Sequence, residues 1–122
     1  MKNGNVVDSS GWLEYFADTE RAPLFAAALE DIESLIVPVI SIYEVFKKVL
    51  RERGEDAALQ VSSMMQAGRV VDVDCSLAME AARLGLPMAD SIIYATAMLQ
   101  GAVLWTQDEH FKGLPNVRYF SK

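Results

Sequence analysis

Five short β-type runs are separated by stretches with helical spacing, and this alternation limits the architectures open to the chain. The runs are NVV at 5–7, SLIVP at 34–38, RVVDV at 69–73, AVLWT at 102–106 and NVRYF at 116–120. Between them, apolar residues recur at three- and four-residue steps. Leu24, Ala27, Ala28 and Ile32 follow Pro23, and Ile42, Tyr43, Phe46, Val49 and Leu50 follow Ser41. Further helices are expected from Ser9 or Ser10 to Phe16, from about Glu55 to Gln66, from Ser76 to Leu84, and from the segment LPMADSIIYATA to Gly101. Residues 108–112 read as one helical turn. Strands alternating with helices predict a parallel sheet covered on both faces. The expected fold class is α/β, a three-layer α/β/α sandwich around a central, mostly parallel sheet of about five strands, within a single domain spanning residues 1–122.

Composition narrows the function. The 122 residues carry a formal net charge of -6, which argues against a broad basic surface for gripping duplex nucleic acid. It suits a basic protein partner or metal cations. The single cysteine, Cys75, excludes an intramolecular disulfide and a cysteine-based zinc site. No run approaches the roughly 20 apolar residues of a membrane span. A cytoplasmic location is the expectation.

Four acids fall where such a sheet would bind a ligand, outside the carboxyl ends of its strands. Asp8 ends the first strand and Asp108 follows the fourth by two residues. Glu44 lies early in the helix after the second strand. Asp90 lies in the first turn of the apolar helix before the fourth. Each has a plainer reading. Asp8 and Asp108 can cap the helical turns they precede, Asp90 can serve a helix dipole, and Glu44 can pair with Lys48 one turn on. Together, four carboxylates at one sheet edge repel one another, and a divalent cation relieves that cost. Oxygen ligands suit Mg²⁺ or Mn²⁺, ions that support phosphodiester hydrolysis.

The ordered pieces VVDSSGWLEYF, ISIYEVFKK, LPMADSIIYATA and LWTQDEHF resemble the PIN-domain ribonucleases, and among them the VapC-type toxins of toxin–antitoxin systems. The resemblance implies a metal-dependent endoribonuclease that hydrolyses RNA in line at phosphorus, leaving 5′-phosphate and 3′-hydroxyl ends. It implies a homodimer silenced by a cognate antitoxin protein. Asp8 and Asp90 would be the principal metal ligands. Asp108 would complete the pocket, Glu44 would hold a water or a second ion, and Thr106 would steady the pocket with its hydroxyl.

Other residues have plainer readings. His110 reads as a surface or half-buried histidine rather than a general acid. Lys47, Lys48, Arg51 and Arg53 read as a solvated helix face, with a phosphate or partner contact as the alternative. Trp12 and Trp105 read as core. Gln107 stands where a phosphate contact is in doubt. Three other readings compete with the toxin nuclease: a phosphoacceptor receiver domain with Asp74 as acceptor, a PIN module that binds without cutting, and a PIN nuclease with a housekeeping role or one acting on DNA.

Overall fold

A computed structural model describes residues 4–122. Its elements run β1 (Asn5–Val7), α1 (Ser9–Phe16), α2 (Ala22–Glu30), β2 (Ile36–Pro38), α3 (Val39–Arg53), α4 (Glu55–Met65), β3 (Arg69–Val71), α5 (Cys75–Ala82), α6 (Met88–Leu99), β4 (Val103–Thr106) and β5 (Val117–Tyr119). Short 3₁₀ turns at Ile32–Ser34 and Glu109–Phe111 precede β2 and follow β4.

All the strand pairings are parallel. β1 pairs with β4 and β4 with β5, while β2 pairs with β3. A single parallel bridge, Asn5 to Leu35, joins the two ladders into the order β3-β2-β1-β4-β5. This is the expected parallel sheet of five strands. A receiver domain has the order 2-1-3-4-5, so the order found here removes that alternative. Asp74 is used instead as the cap of α5, where its carboxylate accepts from the Leu77 N–H at 2.9 Å.

The strand period of two sorts the core into layers. Val7, Val37 and Trp105 face one side, where they pack with Phe25, Ala28 and Leu29 of α2 and Val45 and Val49 of α3. Val6, Ile36 and Leu104 face the other, against Ile93, Tyr94 and Ala97 of α6 and the buried Phe111. Leu77 and Ala81 of α5 pack on Ala95 of α6. Trp12 is buried and stacked on Phe16, a core residue as its place in the sequence implies.

Helix starts differ in detail from expectation, α5 beginning at Cys75 behind the Asp74 cap rather than at Ser76. α3 begins at Val39, directly after Pro38, rather than at Ser41. Val39 and Ile40, between the strand expected to stop at Pro38 and the helix expected from Ser41, form the first two residues of α3. Pro38 has extended backbone, with ψ 133°, and has no N–H to pair, so the chain turns into helix immediately behind it. Of the caps the sequence offers for α1, Asp8 rather than Ser9 or Ser10 is used.

Gly11 tests how tightly α1 is seated. A Cβ built there would lie 2.6 Å from Val7 Cγ1 and 2.8 Å from Phe25 Cδ1, inside the core. Alanine gains about 1 kcal/mol of helix propensity over glycine, but overpacking a filled core costs about 1–3 kcal/mol. Gly11→Ala is expected to lower stability by urea unfolding. A stabilised variant would show that α1 has room to move away from β1.

Candidate functional site

The site follows from strand ends and helix starts. β1 ends at Val7, so Asp8 emerges at the carboxyl edge of the sheet as the N-cap of α1. β4 ends at Thr106 beside it, and Asp108 caps the 3₁₀ turn that follows. α6 leads through Gly101 into the start of β4, so this 12-residue helix runs back against the strands. At about 1.5 Å per residue it spans the sheet and brings Asp90, in its first turn, to the same edge. Capping and site placement are therefore one arrangement: the residue that caps a returning helix stands at the edge where ligands bind.

One chain of hydrogen bonds joins all four acids. Asp8 is only 4% exposed. One of its carboxylate oxygens accepts from the Ser9 N–H at 2.6 Å and the other from the fully buried Thr106 hydroxyl at 2.8 Å. The Thr106 oxygen in turn accepts from the Asp108 N–H at 3.0 Å. Asp108 Oδ1 accepts from the His110 N–H at 2.9 Å. His110 Nδ1 lies 2.7 Å from Asp90 Oδ2 and 3.3 Å from Asp108 Oδ1. On the other side of Asp8, the Ser9 hydroxyl donates to Glu44 Oε1 at 2.6 Å. The alternative pair of Glu44 with Lys48 is not what forms; Lys48 pairs with Glu52 at 3.6 Å.

The four acids do not form one compact cluster. Among the described residues, the group whose ligand atoms all lie within 4.8 Å of one another is Asp90, Asp108 and His110. Asp8 is joined to it through Thr106, and Glu44 is joined to Asp8 through Ser9. His110 is the addition. Its side chain is 54% exposed, as expected for a surface histidine, yet its ring is held between two carboxylates. The sequence signal was its place two residues after Asp108 in a tight turn.

Electrostatics give the group its character. Burial raises the Asp8 carboxyl from the ordinary 3.8 to about 6, against the lowering effect of the Thr106 and Ser9 bonds; the nearby charges of Asp90 and Asp108 raise it further. Burial also raises Asp90, offset in part by its bond to His110. The bond to Asp90, with the charge of Asp108, raises His110. Acids that burial and neighbouring charge push toward the protonated form are suited to a divalent cation, and the Asp90, Asp108 and His110 donors fit one in charge and spacing.

Beside this group, Arg21 makes a clamp that sequence reading missed. Its Nε donates to Gln107 Oε1, and its Nη2 donates to the carbonyls of Phe120 and Ser121 at 3.2 and 3.3 Å. Gln107 Nε2 donates to Glu14 Oε2 at 2.8 Å. Both ends of the buried Gln107 amide are thus bonded within the protein. Its part is to fasten the Thr106–Asp108 turn to α1 and to the start of α2, not to meet a phosphate.

The PIN domain family model matches residues 6–117, almost the whole described chain. The chain belongs to the PIN-domain family. No sequence match to a curated protein was found. Solved PIN-like structures share the fold at low identity. A toxin–antitoxin complex from Klebsiella pneumoniae aligns with a TM-score of 0.80 at 19% identity, over 94% of this chain and 96% of that one. A DNA-bound VapBC from Salmonella typhimurium aligns at 0.72 and 17%, over 98% of each chain. The Mycobacterium tuberculosis toxin VapC20, described as cleaving the sarcin–ricin loop, aligns at 0.71 and 21%, over 94% of this chain and 99% of that one.

The raised acids predict how the metal-free PIN domain responds to pH. Asp8 has a higher pKa folded than unfolded, so its stabilising contribution is complete below pH 3.8 and is lost as pH rises through about 6. A shift of this size corresponds to about 3 kcal/mol. Asp90 acts in the same direction. His110 does too, since its contribution is complete below 6.5 and is lost as pH rises through its raised folded value. In EDTA, Asp8→Asn is expected to exceed the natural protein in stability by about 1–3 kcal/mol near pH 7.5, with the gap closing near pH 4. Urea unfolding at several pH values measures this. Parallel profiles for the two proteins would mean that Asp8 ionises freely in the folded state.

Proposed function

We propose that this PIN domain is a Mg²⁺- or Mn²⁺-dependent endoribonuclease and the toxin of a type II toxin–antitoxin pair. The observation that carries the reading is the meeting of Asp8, Asp90 and Asp108 at the carboxyl edge of a PIN sheet. Asp90 and Asp108 would hold the cation with Asp8 behind them, and Glu44 would orient a water through the Ser9 side of the site. A bound divalent cation supplies charge stabilisation at the phosphoryl oxygens and lowers the pKa of water.

The chain's own groups do the rest. Thr106 donates to Asp8 and fixes the direction of its carboxylate. Ser9 holds Asp8 with its N–H and Glu44 with its hydroxyl, so the two acids keep a constant separation. The chain is acidic overall, and a polyanionic substrate needs local positive charge to approach. A hollow of about 250 Å³ lined by Tyr43, Glu44, Lys47, Lys48 and Arg51 puts that charge beside Glu44. This supports the phosphate-contact reading of the basic run for Lys47 and Arg51. The RNA backbone would enter along α3 and reach the acids at its first turns.

The partners follow from the same reading. Solved relatives include toxin–antitoxin complexes, which supports a cognate antitoxin for this chain. Exposed apolar residues on α5 and α6, among them Met79, Met88 and Leu99, support a homodimer. Among the described residues no helix is long and apolar enough to cross a membrane.

The test is cleavage of a broad RNA pool by the purified chain with Mg²⁺ or Mn²⁺. EDTA is expected to stop cleavage, Asp90→Asn to reduce it by about a hundredfold or more, and Glu44→Gln by about tenfold. Cleavage that survives both EDTA and Asp90→Asn would overturn the assignment. Lys47→Ala with Arg51→Ala is expected to weaken RNA binding and to lower the slope of log affinity against log salt by about one per lost phosphate contact. An unchanged slope would move the substrate path elsewhere. Growth arrest on expression, relieved by the protein of the adjoining gene, tests the toxin role.

A further inference from the structure

We propose that His110 is a protein ligand of the cation site and shifts its preference from Mg²⁺ toward first-row transition ions. This rests on the divalent-cation reading above and goes beyond it by naming a nitrogen donor among the oxygens.

The geometry is that of a coordination edge. An octahedral ion with bonds near 2.1 Å has adjacent ligand atoms about 3.0 Å apart. His110 Nδ1 stands 2.7 Å from Asp90 Oδ2 and 3.3 Å from Asp108 Oδ1, on either side of that value. The three atoms already lie close enough to share one ion.

The ring is also held there from below. The His110 N–H is bonded to Asp108 Oδ1, so backbone and side chain close on the same carboxylate. The next residue, Phe111, is fully buried and stacked on Tyr94 of α6, with ring centroids 6.3 Å apart. Tyr94 is one turn along from Asp90 on that helix. The packing that seats the 3₁₀ turn therefore sets the distance between His110 and Asp90. A histidine on a loose surface turn would have no such registration.

The donor type decides the consequence. Mg²⁺ prefers oxygen ligands and retains water, whereas Co²⁺, Ni²⁺ and Zn²⁺ take imidazole readily. Two carboxylates and one imidazole give these ions an advantage that an all-carboxylate pocket does not.

The experiment uses the untagged full chain, stripped of metal, and titrates Co²⁺ and Mg²⁺ separately by calorimetry. His110 is the single histidine, so paramagnetic shifts of its imidazole protons on adding Co²⁺ are unambiguous. His110→Ala is expected to lose about tenfold or more in Co²⁺ affinity while Mg²⁺ affinity changes far less. His110→Asp is expected to move the preference back toward Mg²⁺. A purely structural histidine would weaken both ions equally on substitution, and that outcome, or an unchanged ratio, overturns the proposal. If Asp90→Asn abolishes binding while the ratio ignores His110, only the histidine's role fails. If the natural chain binds neither ion, the cation reading fails with it.

Discussion

The hydrogen bond from Thr106 to Asp8 is the interaction around which the site is organised. It crosses from the end of β4 to the end of β1, strands that are neighbours in the sheet but lie almost a hundred residues apart in the chain. It holds a carboxylate in a nearly dry position, and the same oxygen of Thr106 receives the backbone of Asp108. One hydroxyl thus orients the Asp8 carboxylate and anchors the backbone of Asp108. Without it, Asp8 would be a buried charge with one partner, a costly state for any fold.

That arrangement opposes stability in the metal-free protein. Burial and neighbouring charge push Asp8 and Asp90 toward their protonated forms, so the fold is under electrostatic load at neutral pH. Such sites are where proteins give up stability for chemistry. The load is carried by features placed around it: the fully buried Phe111, the Tyr94 hydroxyl bonded to the Pro115 carbonyl at 2.7 Å, and the Arg21 clamp on the turn and the last strand.

Much of this was legible in the sequence, for physical reasons. Short apolar runs ended by Asp, Pro or Gly mark strands and their ends, and in a parallel sheet those ends share an edge. Asp8 and Asp108 could be placed there because one directly follows a strand and the other follows one by two residues. Asp90 needed the extra helix from Ser76 and the Gly85-Leu86-Pro87 break to return the chain to that edge, which the sequence allows and the structure shows. What stayed hidden depended on packing between distant segments. The helix after β2 starts at Val39, two residues before Ser41, and the β-branched Val39 and Ile40 carry no helix-start signal of their own. His110 lies 20 residues from Asp90, and nothing local reveals that Tyr94 and Phe111 stack and bring them together. A phosphate contact from Gln107 is in doubt from the sequence, but what occupies its amide, Glu14 of α1 and Arg21 just before α2, shows only in the structure.

The placement of the two tryptophans has a consequence of a different kind. Trp12 lies one turn into the helix that Asp8 caps, and Trp105 directly precedes Thr106, with the Arg118 guanidinium 4.5 Å from its ring centre and its Nε1 bonded to Asn5. Both indoles are therefore fixed beside the strand ends that carry the acids, one buried and one stacked under a guanidinium. The protein holds two intrinsic fluorophores of unlike surroundings at the site itself, so small rearrangements of this edge register optically without any label.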